Sequence, residues 1–143
     1  MHEASFEEKV EVIRAQDSRY AAEAYSFLRE ALDYTQKTIA KDSRGRLRHV
    51  TGQELLGGIR EFALAQFGPM TMMVLEEWGI HHCRDFGELV FNMVESDLLA
   101  KTDRDSRADF GGGYDFFDAF RKPFLPPSQQ VKPEPTPAPA AGE

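Results

Sequence analysis

The chain has almost no cysteine. Cys83 stands alone in 143 residues, so an internal disulfide is excluded, and a reducing compartment is the expectation. Long hydrophobic runs are missing as well. No apolar stretch approaches the roughly 18 residues that a membrane-spanning helix needs, and none follows a basic start as in a secretory leader. The expectation is a cytoplasmic protein with no membrane contact. Positive charge is outnumbered: the net charge of −7 works against a surface given over to binding nucleic acid. Phosphate loops, a nucleophile with its base and orienting group, and paired metal ligands are also wanting. No cofactor, no metal and no enzymatic activity are expected.

What is present is helical periodicity, densest from Val50 to Ile80. Thr51 and Glu54 have capping-box spacing, and Val50 with Leu55 is placed for a hydrophobic staple. Leu55, Leu56, Ile59, Phe62, Ala63 and Phe67 then form one apolar stripe. Gly57-Gly58 interrupts it at about 1 kcal/mol per glycine, which points to close approach of a neighbouring helix or a local kink. Gly68-Pro69 is read as one helix ending and another starting. Met70, Met73, Val74 and Trp78 follow at near-helical spacing and are expected to face the core, an adaptable methionine binding face being the alternative.

Upstream, Ser5 and Glu8 cap a first helix over residues 5–15 with Phe6, Val10 and Ile13 on one face. Asp17 or Ser18 is expected to cap a second helix running to about Ala40, lined by Tyr20, Ala24, Phe27, Leu28, Ala31, Tyr34 and Ile39. Downstream, Asp85 and Glu88 repeat the capping-box spacing and open a helix to about Leu99, burying Phe86, Leu89, Val90, Met93, Val94 and Leu98. Two shapes are open for residues 98–117. One is an irregular loop leading to a short aromatic helix around Tyr114 to Phe120. The other is a β-hairpin that would complete a winged helix. Residues 85–120 carry nine acids against three bases, so even a winged helix here would favour protein over phosphate. Asp103, Asp105 and Asp109 lack the glycine and the glutamate of a calcium loop, with Ala108 and Tyr114 in those places. The fold class expected is mainly α: one domain over residues 1–125, a bundle of about five helices, and a Pro/Ala-rich disordered tail over residues 126–143.

Two features bear on function. Between Lys37 and His49, five cations face Asp42 alone, a local +4 in an acidic chain. Lys41, Arg44, Arg46, Arg48 and His49 are the candidate contacts for an acidic partner or for phosphate, against the plainer reading of a solvated loop at a helix C-terminus. No aromatic interleaves with the cations, which argues against a single-strand stacking groove. The second feature is His81-His82-Cys83. Adjacent side chains converge poorly on one ion, and His2 and His49 offer no second ligand pair. A thiol paired with imidazole is the remaining chemical reading, weighed against a linker between helices.

Five segments, FLREALDYTQK, HVTGQELLGGIREFALAQFGPM, VLEEWGI, DFGELVFNMVES and YDFFDAFRKPF, together resemble a family of small conserved hypothetical proteins restricted to Planctomycetes and Verrucomicrobia. The resemblance spans roughly residues 8–125. It implies a lineage-specific housekeeping or regulatory role and carries over no catalytic residue. The function expected is a non-enzymatic cytoplasmic interaction module docking on a larger protein assembly. The alternative is a nucleic-acid-associated factor, a winged-helix regulator or ribosome-bound protein, using the basic loop 41–49. Oligomeric state is not legible in the pattern.

Overall fold

Thr51 does what its spacing predicts. Its hydroxyl accepts from the Glu54 amide at 3.1 Å, and the Glu54 carboxylate accepts from the Thr51 amide at 3.1 Å. In the computed structural model this box opens a helix in a mainly helical fold, described for residues 5–42, 50–99, 110 and 112–129 (41 and 42 by backbone alone). Five α-helices are seen among them: α1 (Phe6–Gln16), α2 (Ala22–Asp42), α3 (Gly52–Phe67), α4 (Thr71–Glu77) and α5 (Cys83–Glu95). A mainly helical fold is therefore the observed class, and none of the described residues is in a strand. The basic residues Arg44, Arg46, Arg48 and His49, residues 103–109 and the tail from residue 130 lie outside the described residues, as does the Lys41 side chain.

Helix α2 is the spine. It packs most extensively on α3 and also meets α1 and α5. The α2–α3 approach explains the glycine pair. A Cβ on Gly58 would fall on the hydroxyl of buried Thr35, whereas Gly57 faces open space. Close helix approach is thus the reason for one glycine and not for the other. Thr35 turns its hydroxyl onto the Ala31 carbonyl at 2.7 Å, so the contact leaves no polar atom unpaired. Ser5 caps α1 by accepting from Glu8 at 3.2 Å.

Four expectations are corrected. Asp17 and Ser18 do not cap α2, which starts at Ala22. Asp17 instead closes α1, and its carboxylate is taken by Arg19 and Asn92. Helix α5 begins two residues before Asp85 and ends at Glu95. The third correction concerns α4, where Thr71 and Leu75 are buried while Met70 and Met73 are exposed. The Gly68–Met70 3-10 turn resets the helical phase, and Thr71 donates to the carbonyls of Gly68 (2.7 Å) and Ala63 (3.2 Å), which turns it inward. Finally, the hairpin is not supported. Tyr114 lies in irregular backbone, and Phe116 enters a π-helical segment, Phe117–Arg121. Phe116 and Phe120, four apart, are both buried, and the backbone that carries them is helical.

The core is one cluster running from Val10 to Phe120. The C-terminal segment belongs to it. Phe116 stacks on Phe86 at 5.7 Å and meets Phe120 edge-on at 5.0 Å, while the Tyr114 hydroxyl donates to the Leu56 carbonyl at 2.8 Å.

Candidate functional site

The basic segment is reached along α2. Ser26, Arg29, Glu30, Asp33 and Lys37 recur at three- and four-residue steps and share one exposed face. Helix α1 brings Phe6 to this face, α3 brings Phe62 and Gln66, and Leu98 and Leu99 come from beyond α5. Together they line an open groove of about 970 Å³. Its chemistry is mixed. The Arg29 guanidinium lies 4.7 Å over the Phe6 ring, Tyr34 packs on Phe62 at 5.5 Å and donates to Glu61 at 3.3 Å, and Lys37 pairs with Asp33 at 2.8 Å. Such aromatic and arginine groups are the types enriched at protein interfaces. Lys41 follows Lys37 by four residues on the same helix, so the groove runs toward the start of the basic segment.

The His81-His82-Cys83 stretch is organised by Asp85. The Asp85 carboxylate accepts from the amides of His81 (2.9 Å) and His82 (3.0 Å) and from the Tyr20 hydroxyl (2.7 Å). One side chain thereby caps α5 and pins the turn before α2 to it. Burial first, then the bond to Asp85, raises the Tyr20 pKa well above the usual phenol range. Cys83 is the first residue of α5 rather than part of a loop. Its side chain is buried and its Sγ donates to the Tyr114 carbonyl at 3.3 Å. Burial pushes the thiol up to about 11, so it is protonated at neutral pH and is a poor nucleophile. His81 and His82 are exposed beside a recess of about 500 Å³ that also takes in Arg84, Asp115 and Met72. Among the described residues no group of three histidine, cysteine, aspartate or glutamate side chains is placed to hold a metal.

A polar cluster that no sequence pattern announces joins the α1–α2 turn to α5. Arg19 forks onto Asp17 at 2.8 and 2.7 Å, and Asn92 bonds both Asp17 (3.0 Å) and the hydroxyl of fully buried Tyr25 (3.1 Å). Arg19 holds the Asp17 carboxyl well below the usual carboxylate range. These partners are 67 and 75 residues apart in the chain, which is why helical spacing does not reveal them.

A third surface lies beside the C-terminal segment. Pro69, Met72 and Met73 on one side and Arg121, Phe124 and Leu125 on the other enclose a recess of about 370 Å³. Among the described residues no helix is long and apolar enough to cross a membrane. Comparison with protein-family models, curated proteins and solved structures gives no match to this chain.

Proposed function

We propose that the protein is a non-enzymatic cytoplasmic interaction module that docks on a larger protein assembly. Its contact surface is the exposed face of α2 together with the basic segment Lys41, Arg44, Arg46, Arg48 and His49. The observation that carries this reading is the α2 groove. It gathers Arg29, Phe6, Tyr34 and Phe62, residue types enriched at interfaces, and α2 leads along the chain into a local excess of cations in an acidic sequence. The buried, protonated thiol of Cys83 supports the non-enzymatic part of the proposal. The lineage-specific housekeeping or regulatory role implied by the family resemblance is consistent with a docking part rather than a catalyst.

The test is capture of partners from native lysate by the tagged full chain, with and without nuclease, against two variants. One replaces Lys41, Arg44, Arg46 and Arg48 with alanine; the other combines Arg29→Ala with Tyr34→Ala. The proposal expects a protein partner retained after nuclease and lost with either variant. A partner lost on nuclease treatment and on the fourfold alanine change, but indifferent to Arg29 and Tyr34, would transfer the function to nucleic-acid association. Capture unaffected by both variants would overturn the assignment of this surface.

A further inference from the structure

We propose that the methionine and phenylalanine patch beside the C-terminal segment is the interface of a homodimer, in which a second copy of this chain seats the same patch across a two-fold axis. Among the described residues four large hydrophobic side chains are left exposed, and two of them, Met73 at 54% and Phe124 at 43%, line one recess of about 370 Å³ between α4 and residues 121–125. Met70, 51% exposed, precedes Met73 by three residues. Apolar groups grouped in this way, methionine above all, are costly to leave in water and are typical of self-association faces.

The choice of a second copy over another partner rests on self-complementarity. In an isologous contact one patch must offer both what protrudes and what receives it, and both signs of charge, because each residue meets its counterpart reciprocally. This patch does so. Met73 and Phe124 line the recess and also stand out of it. Its rim carries one acid, Glu76, and one base, Arg121, and neither joins any of the ion pairs seen among the described residues. A two-fold arrangement sets Glu76 of each copy against Arg121 of the other, closing two ion pairs around a methionine and phenylalanine centre. The surface shares no residue with the α2 groove, so dimerisation and docking stand or fall separately.

Sedimentation velocity of the full chain from micromolar to millimolar concentration tests the proposal. The expected result is a reversible monomer–dimer equilibrium. Met73→Lys abolishes it, with Phe124→Ser as a second probe. Glu76→Arg and Arg121→Glu each weaken the dimer by about tenfold or more, since like charges then meet twice. The double variant E76R/R121E restores the dimer, because the exchanged charges pair again. All four positions are exposed, and circular dichroism checks that each variant keeps its helices. A chain monomeric over the whole range overturns the proposal. So does a dimer indifferent to Met73→Lys and Phe124→Ser, or a double charge reversal no better than the single ones.

Discussion

Two aromatic clusters hold this molecule together, and they are built differently. The first joins α2, α3 and α4: Phe27 touches Phe62, Phe67 and Trp78 at 5.5–5.8 Å, and Tyr34 extends it. All but Phe27 are only partly buried. The second joins α5 to the C-terminal segment: Phe86, Phe116 and Phe120 are each buried, and Tyr114 meets Phe120 edge-on at 5.5 Å. Regular helices supply the first cluster, yet it lies toward the surface. A short irregular segment supplies most of the second, and that cluster is deep. Regularity of the backbone is therefore a poor guide to which residues carry stability here; depth of burial decides it.

The largest effect expected follows from that contrast. Phe120→Ala removes a fully buried ring and should cost about 3–5 kcal/mol, whereas Phe62→Ala, partly buried in the first cluster, should cost about 1–2 kcal/mol. Chemical denaturation of the two variants measures both. Equal losses would break the comparison.

Next comes Asp85→Ala, which strips three donors, the His81 and His82 amides and the Tyr20 hydroxyl, of their shared acceptor. A loss of about 2 kcal/mol is expected, visible as a lower denaturation midpoint. Tyr114→Phe sharpens the picture of the second cluster more finely. It deletes the hydroxyl bonded to the Leu56 carbonyl and should cost about 1 kcal/mol with the ring packing intact.

Cys83 reports on the same cluster without a large change in stability. With the thiol pushed up to about 11, only about one molecule in 1,000 is thiolate at pH 8, so Ellman's reagent should react slowly with the native chain. Phe120→Ala should speed the reaction by opening the segment that covers Cys83. A native rate equal to that of the denatured chain would show the thiol to be uncovered.

The pH dependence has two limbs. Cys83 has a folded pKa above its unfolded value. Its stabilising share is whole below about pH 8.5 and is lost as pH rises toward about 11, with the raised tyrosines 20, 25 and 114 adding to the alkaline loss beyond about pH 10. Asp17 is the opposite case: its carboxyl is depressed, so its share is present above about pH 4 and fades only in stronger acid. Because Arg19 is more than half exposed, the acid limb should be the smallest effect, and added salt should flatten it. Stability curves of the parent chain and Asp17→Asn at pH 2–5 measure it.

Much of the fold is legible from local pattern. The Thr51–Glu54 box, the Ser5 cap, the α3 stripe and the buried face Phe86, Leu89, Val90 and Met93 depend on contacts within four residues, and those contacts are written in the spacing. The misread start of α2 has a different cause. Asp17 is a good capping residue by type, but Arg19 and distant Asn92 compete for its carboxylate and win. Likewise the phase of α4 turns on one 3-10 turn and a threonine hydroxyl, which outweigh the apolar spacing of Met70 and Met73 and leave both in water. The candidate surfaces divide in the same way. The cations from Lys41 to His49 stand out as a charge run, whereas the α2 groove and the methionine patch exist only once separate segments meet.

By itself, then, the sequence determined a helical chain, the start of α3 and the apolar faces that make a core, because neighbours in the chain are neighbours on a helix. The tertiary structure decided how deep Phe116 and Phe120 lie and that Asp85 ties two turns together. Those outcomes rest on contacts between residues dozens of positions apart, where packing and hydrogen bonding override local preference.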